Sequence, residues 1–236
     1  MKKIFLLGAI AVISLSASAQ RANDVDASWL NDAQPLSYNL IGVSYDNTHL
    51  GGKNYEFKDG KSMSLNGFGI EYTHGFGLSS VQPIYLELGF KWNMGFGSST
   101  WEDDYEYEKE LYQMMRLNVP VSFAWRFAAD DSFSITPYAG IDFRFNAMGR
   151  MKEEYIDGHK TDGKWESLFD EKKMGKNWTW NRFQMGWHIG VRAEYSRAFL
   201  GISYGTDFIH AFSYNKYKED KHVSTGNLAI TLGYRF

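Results

Sequence analysis

Hydrophobic and polar residues alternate along several stretches of this chain. Between Ile84 and Met94 the even-numbered positions are apolar, and the residues between them are mainly small or polar. A two-residue period places side chains alternately on two faces, which is typical of a β-strand. Seven further stretches repeat the pattern, beginning near Ile41, Phe68, Leu117, Phe133, Phe183, Leu200 and Leu228. The pattern therefore predicts eight strands and an all-β fold.

The connections between the predicted strands alternate in length. Short connections are expected at residues 77–82, 128–132 and 196–197, and long ones at residues 46–63, 97–110, 149–179 and 212–223. Up-and-down membrane barrels have short turns at one end and longer loops at the other. Residues 36–236 are thus predicted to form one eight-stranded, antiparallel, up-and-down transmembrane β-barrel whose long loops are extracellular.

Two prolines, Pro120 and Pro137, fall inside predicted strands. Proline has no amide hydrogen to donate to a strand ladder, so it is disfavoured in central strands. We expect each proline at a bulge or at a local gap in the pairing.

The apolar face could point either to lipid or to the core of a soluble, lipocalin-type carrier. The opposite face is rich in Gly, Ser, Asn and Ala with few charges, unlike an exterior that contacts water. Eight strands enclose a space just wide enough for side chains, which bulky Phe and Trp on every strand would overfill. We therefore predict that the apolar face contacts lipid. Aromatic girdles at the membrane boundaries would include Trp92, Trp125, Tyr195, Tyr204 and Tyr234.

The first residues have the pattern of an export signal. Lys2 and Lys3 precede an apolar stretch at residues 4–15, which small residues follow. About 12 apolar residues span only ~18 Å as a helix, too short for a ~30 Å hydrocarbon core. We expect residues 1–19 to be a signal peptide cleaved between Ala19 and Gln20, and residues 20–35 to form a periplasmic N-terminal segment.

Composition excludes several other classes. The mean hydropathy of −0.41 argues against a helical membrane protein. The 25 Lys and Arg residues against 28 Asp and Glu residues give a net charge of −3, so nothing points to nucleic acid. The absence of cysteine excludes disulfides, thiolate metal sites and cysteine nucleophiles.

Short motifs in the predicted strands resemble those of a known family. They are Tyr85-Leu86-Glu87-Leu88-Gly89, Leu117-Asn118-Val119-Pro120-Val121, Thr136-Pro137-Tyr138-Ala139-Gly140 and the terminal Tyr234-Arg235-Phe236. With them the chain resembles the small outer-membrane β-barrel proteins of Gram-negative bacteria, of the OmpX-like and PorT-like porin-family type common in Bacteroidetes.

That resemblance implies a location in the cell outer membrane, in contact with outer-membrane lipid and lipopolysaccharide. It also implies an assembly signal that the barrel-insertion machinery reads at the end of the last strand. The signal residues would be Leu228, Ile230, Leu232, Tyr234 and Phe236.

The predicted lumenal face carries nearly balanced charges. Its network residues are Glu87, Lys91, Arg116, Arg126, Asp142, Arg144, His188, Arg192 and Glu194. Unpaired charge is costly in a lumen too narrow for bulk water, so we expect a packed network that fills the barrel. Within it, one hydrogen-bonded cluster is expected for Glu87, Arg116, Asp142, Arg144, His188 and Arg192. The alternative is a continuous file of water, which would make the protein a small porin or selective channel.

A second alternative is an outer-membrane lipid-modifying enzyme. Acyl transfer needs a serine within hydrogen-bond reach of a histidine that a third group orients. Only His210, and His74 at a turn, are placed towards lipid by the alternation, and no serine is recognised as their partner. We therefore expect no enzyme. His49, His159 and His222 fall in predicted loops without metal-ligand spacing, so no metal or cofactor is expected either.

Two predicted loops carry possible recognition chemistry. Residues 101–110 hold six carboxylates and one lysine, which favours a solvated surface and leaves binding of Ca²⁺ or a cationic partner as an alternative. Residues 149–179 hold seven basic and seven acidic residues together with Trp165, Phe169 and Trp178. Loops of this length often have a function. The sequence thus predicts a monomeric barrel with a plugged polar lumen and a structural or surface-binding role, with no ligand identified.

Overall fold

A computed structural model describes most of the chain beyond its N-terminal part. The described residues are 37–53, 57, 62–79, 82–102, 107–129, 132–156, 159–160, 163–174, 179–216 and 219–236. The predicted signal peptide, its cleavage position between Ala19 and Gln20, and the segment at residues 20–35 lie outside them.

The described residues are almost entirely β-structure. The strands are β1 (Ser37–Lys53), β2 (Ser62–Gly77), β3 (Ile84–Glu102), β4 (Tyr107–Trp125), β5 (Phe127–Ala128), β6 (Phe133–Ile156), β7 (His159–Lys160), β8 (Glu166–Ser167), β9 (Phe183–Tyr195), β10 (Ala198–Asp207), β11 (Phe212–Lys216) and β12 (Glu219–Arg235), with one short helix, α1 (Glu171–Met174). No helix in these ranges is long and apolar enough to span a bilayer.

Eight of the strands close into a ring. Antiparallel neighbours follow the order β1, β2, β3, β4, β6, β9, β10 and β12, and β12 pairs back with β1. At the seam, Asn39 and Phe236 exchange two backbone hydrogen bonds of 2.9 and 3.0 Å. The predicted eight-stranded, up-and-down barrel is therefore confirmed, and its closure leaves no wall strand with an open edge.

The alternation of side chains also follows the prediction. Outward positions are apolar and exposed, such as Val43 at 60%, Phe123 at 65% and Tyr195 at 70%. Inward positions such as Asn93 and Arg144 are buried.

The connections differ from the prediction at one end of the barrel. At the turn end they are short, as expected, and only Ser196 and Arg197 join β9 to β10. At the other end, called here the loop end, much of the predicted loop sequence is strand. β6 has 24 residues, whereas a strand needs about 9–11 residues to cross a bilayer. The strands continue because paired backbone groups remain satisfied, as where Trp101 pairs with Glu108.

Both prolines lie at gaps in the ladder. β3 and β4 pair up to Leu88 and Val121 and again from Lys91 and Asn118, so Pro120 falls in the interval that is skipped. Pro137 lies in β6 between the end of its pairing with β4, at Tyr138, and the start of its pairing with β5, at Ile135. The expectation of local gaps is confirmed. On the side where the pairing is interrupted, no backbone amide hydrogen is needed from either proline.

A bulge in β6 changes which residues face outward. Arg116 pairs with Asn146 and Met115 with Met148, so Ala147 is an extra residue. Beyond the bulge Gly149 is buried, and Arg150 lies on the outward face opposite Gln113. A strict two-residue period from Arg144 would have turned Arg150 inward.

Apolar clusters close the lumen at both ends. The turn-end cluster packs Tyr38, Leu40, Tyr85, Ala124 and Phe199. The loop-end cluster consists of Leu50, Phe57, Met63, Leu65, Tyr112, Met114, Leu168, Trp180, Ala211, Phe212 and Val223. Most of the polar lumenal residues lie between the two clusters, whereas Glu194 and Arg235 lie at the level of the turn-end cluster, paired with Phe199 and Leu40.

The connection between β6 and β9 forms part of the loop-end cluster. The Leu168 amide donates to the Gly149 carbonyl at 3.0 Å, and the Trp180 amide donates to the Leu168 carbonyl at 2.9 Å. Both side chains are buried. Phe169 packs so closely on Gly149 that a Cβ there would lie 2.8 Å from the ring. The described part of the segment that looks like a long loop in the sequence thus packs into the loop end of the barrel.

Candidate functional site

The polar layer of the lumen contains all nine residues that the sequence places there. Eight are buried, and Arg126 is half-buried near the turn end. Among the described residues they form three hydrogen-bonded groups instead of the single expected cluster. The alternation identifies the inward face, but depth along the barrel decides which charges meet.

The group nearest the turn end is built around Arg192. Its guanidinium hydrogen-bonds Glu87, and its Nε lies 3.3 Å from Glu194 Oε1. The Tyr38 hydroxyl also donates to Glu87. Glu194 Oε2 in turn accepts a hydrogen bond of 3.1 Å from Arg235 Nη1. Carboxylates and guanidiniums therefore alternate through this group.

The central group links three strands. Ser122 Oγ on β4 lies 2.8 Å from His188 Nε2 on β9. His188 Nδ1 lies 3.0 Å from Asp142 Oδ1 on β6 but is not aligned for a hydrogen bond with it, and Arg144 donates to Asp142 Oδ2 at 2.8 Å. This arrangement places a hydroxyl, an imidazole and a carboxylate in the order that nucleophilic serine chemistry uses.

The central group continues towards the loop end through neutral side chains. Arg144 reaches Thr225 at 3.4 Å, and Thr225 donates to Asp207 at 3.1 Å. Gln184 donates to the same carboxylate at 2.8 Å and is itself held by Asn146. Asp207 is thus stabilised mainly by neutral donors.

The third group surrounds Lys91 and Arg116. Lys91 Nζ lies 2.7 Å from Asp46 and 3.5 Å from Glu71. Arg116 donates to Thr48, which is linked through Asn227 to Asp46. Among the described residues, no carboxylate lies within 4.0 Å of the Arg116 guanidinium, so it does not join Glu87 or Asp142 as expected.

A small cavity remains between the three groups. Its volume is about 90 Å³, and Lys91, Arg116, Asp142, His188 and Arg192 are among its lining residues. Since a water molecule needs about 10–15 Å³ on this measure, the cavity has room for a few waters.

Sequence reasoning missed two contacts between serine and histidine. The two-residue period puts both Ser122 and His188 on the lumenal face. Their contact also depends on the register between strands, which the period does not give. Ser224 Oγ lies 3.0 Å from His210 Nδ1, and the His210 ring stacks on His222 at 4.1 Å. The sequence gives no local signal for the Ser224–His210 pair, and β12 begins at Glu219, well before the predicted strand. The absence of such pairs is therefore no longer a reason to exclude an enzyme.

The residues of the predicted assembly signal lie on the outer surface of the barrel. Leu228, Ile230, Leu232, Tyr234 and Phe236 all face outward, with exposures between 42% and 61%. Residues 103–106 of the acidic run lie outside the described residues. In the part of the chain that the structure describes, no three His, Asp or Glu side chains are arranged to hold a metal ion.

The chain was compared with known proteins. The sequence profile of the outer membrane protein beta-barrel domain matches residues 6–236. No curated protein matches the chain. Among solved structures, the Ail protein of Yersinia pestis is 14% identical with a TM-score of 0.40, covering 85% of this chain and 99% of that one.

Two further solved structures show similar coverage. Neisserial surface protein A is 11% identical with a TM-score of 0.39, covering 85% of this chain and 97% of that one. The outer membrane enzyme PagL is 10% identical with a TM-score of 0.36, covering 80% and 97%.

Proposed function

Because this chain belongs to the outer membrane protein beta-barrel domain family, and therefore resides in the cell outer membrane, we propose that it is a closed barrel with a structural or surface-binding role. The observation that carries the proposal is the filled lumen, in which buried polar side chains are paired with one another and apolar clusters pack at both ends. Its long strands then serve to carry binding surfaces beyond the membrane.

The energetics of the lumen disfavour the porin alternative. A conducting path would have to pass Leu168 and Trp180 in the loop-end cluster. It would then have to disrupt ion pairs such as Glu87–Arg192. Separating one buried pair leaves an uncompensated charge, at a cost of about 3–5 kcal/mol. A steady file of water is inconsistent with that packing.

The partners in this proposal are those that the barrel wall requires. Outer-membrane lipid and lipopolysaccharide surround the exposed apolar face, and the barrel-insertion machinery assembles the strands. The ring pairs every wall strand on both sides, which supports a monomer.

Solute uptake by proteoliposomes tests the closed barrel. Vesicles containing the folded protein should swell in arabinose no faster than vesicles without protein. A vesicle-inserted porin of known activity serves as the positive control. Swelling that depends on the size of the sugar would contradict the proposal.

A second candidate function is supported by the Ser122–His188–Asp142 group. In this reaction Ser122 Oγ would attack the carbonyl carbon of a small ester while His188 Nε2 takes the hydroxyl proton. The alcohol would leave with that proton, and water would later cleave the acyl-serine ester to release the acid. The cavity of about 90 Å³ limits such a substrate to a small acyl group.

Covalent labelling tests this candidate directly. A small fluorophosphonate should form an adduct on Ser122 in the folded parent, and the His188→Gln variant should react much more slowly. Mass spectrometry of the digested protein locates the adduct. A folded parent that stays unlabelled would remove the enzyme candidate.

A further inference from the structure

The outward face of β6 changes from apolar to basic at one level. Its outward residues are Ile141, Phe143, Phe145 and Met148, followed by Arg150 and Lys152. Neighbouring strands change character in register with it. The row that pairs through Met148 contains Met115, Met94, Phe68 and Tyr45, whereas the next row, through Arg150, contains Gln113, Phe96, Asn66 and Asn47. On β6 this step is where the apolar outward surface ends and a basic one begins.

Arg150 and Lys152 share one aromatic ring at this boundary. The Arg150 guanidinium carbon lies 4.7 Å from the centre of the Trp165 ring, and Lys152 Nζ lies 6.0 Å from it. Arg150 Nε also donates to Gln113 at 2.8 Å. A tryptophan beside basic side chains is typical of the headgroup level of a membrane.

Among the described residues, the positive charge at this position is only partly compensated. No carboxylate of the described residues lies within 4.0 Å of the Arg150 or Lys152 cation. The nearby Glu154 is engaged by Lys109 at 2.8 Å, and that hydrogen bond lowers the pKa of Glu154. In the part of the chain that the structure describes, Arg150 and Lys152 therefore lie next to the apolar wall without a carboxylate in direct contact, and Lys152 interacts with Glu154 only at longer range.

We propose that Arg150, Lys152 and Trp165 bind a phosphate of a phosphorylated glycolipid in the outer leaflet. A guanidinium holds phosphate through paired hydrogen bonds, and the lysine adds a second charge. The apolar residues below, Phe145 and Met148, would contact the acyl chains of the same lipid. The inference uses only the membrane location and does not depend on whether the lumen conducts.

The bulge at Ala147 is part of this site. If Ala147 were paired regularly and the strand had no bulge, Arg150 and Lys152 would face the lumen, where the apolar loop-end cluster is packed. The bulge therefore converts two inward positions into a surface for anionic lipid. The irregular strand pairing at Ala147 thus contributes to the proposed lipid site.

Binding of bisphosphorylated lipid A to the full folded chain tests the proposal. The lipid is titrated into phosphatidylcholine nanodiscs and bound copies are counted by native mass spectrometry. Each basic residue near a membrane surface contributes about fivefold in affinity, so an Arg150→Gln/Lys152→Gln variant should bind roughly 25-fold more weakly. A Lys160→Gln/Lys172→Gln variant, which removes two exposed lysines elsewhere on the same connection, should bind like the parent.

The remaining arms distinguish the source of the phosphate and exclude misfolding. An Arg150→Lys/Lys152→Arg variant keeps both charges and should retain most of the binding. Lipid A lacking both phosphates should bind as weakly as phosphatidylcholine. Equal losses in the two glutamine variants would overturn the site, and displacement of the lipid by an equal concentration of inorganic phosphate would assign it to a free anion instead.

Discussion

Ser122 on β4 and His188 on β9 are hydrogen-bonded at 2.8 Å across the strand that separates them. The residue between them is Gly140 on β6, which pairs with Ser122 on one side and with His188 on the other. With no side chain at this position, the two polar groups can meet over the intervening backbone. The contact therefore depends on glycine as much as on the serine and histidine.

Replacing Gly140 tests that dependence. A Cβ at Gly140 would lie 2.0 Å from the Val121 carbonyl oxygen, so Gly140→Ala must move β4 relative to β6. We expect a loss of about 1–3 kcal/mol in the free energy of unfolding, measured by denaturant titration in detergent micelles. Gly201→Ala is the matched control, because its Cβ would meet atoms only at 3.9–4.0 Å. Equal midpoints for the two variants would contradict this account.

Removing one member of a buried ion pair should cost more than removing both. Arg192→Met leaves Glu87 buried without its guanidinium, with an expected loss of about 3–5 kcal/mol. The Glu87→Gln/Arg192→Met double variant should recover part of that loss because the unpaired charge is gone. The same unfolding titration measures both variants. If the single variant unfolds like the parent, the pair is solvated and the packed lumen is wrong.

The loop-end cluster should contribute strongly to the free energy of unfolding. Trp180 is buried at 3% exposure, and Trp180→Ala would leave a large cavity among Leu168, Met114 and Phe212. The expected loss is about 3–5 kcal/mol, as for other buried Trp-to-Ala changes. Lys164→Ala, at an exposed position of the same connection, should change stability little. A Trp180→Ala variant as stable as this control would place Trp180 outside the packed core.

The C-terminal residue should matter for membrane insertion. Phe236 faces outward and its backbone closes the seam with Asn39, so Phe236→Asp puts a charge on the lipid side of the closing strand. We expect much lower outer-membrane levels for Phe236→Asp than for Phe236→Tyr, judged by fractionation and heat-dependent gel migration. Arg235→Gln loses an ion pair with Glu194 and should lower stability more than insertion. Normal levels of folded Phe236→Asp would refute the assembly role.

The sequence predicts the barrel well because lipid and lumen impose opposite demands on adjacent residues. Along β3, for example, Leu88 and Phe90 must face hydrocarbon while Glu87 and Lys91 must not. Beyond the membrane both faces contact water or loop residues, so the alternation weakens and the strand ends of β3 and β4 look like loops. The bulge at Ala147 has no sequence signature, and it alone reverses the direction of Arg150 and Lys152.

The interior groups are harder to predict because they depend on register and depth. Parity correctly places Arg116 inside, but only the ladder shows that it reaches Thr48 and not Glu87. Ser122 and His188 are 66 positions apart in sequence, and their contact needs two pairings in register with one glycine between them. A period of two residues predicts which face of the wall a side chain occupies. Which side chains touch inside the lumen also depends on the register of every strand, and so on the shear of the whole barrel.

The central claim, a barrel closed by packing, is tested most directly by planar-bilayer recordings of the folded protein. We predict no steady conductance from the parent, together with a lower unfolding midpoint for Arg116→Ala because it empties a buried position beside Thr48. A regular ohmic conductance in the parent, with an ion selectivity that Arg116→Ala shifts without loss of stability, would contradict the closed lumen.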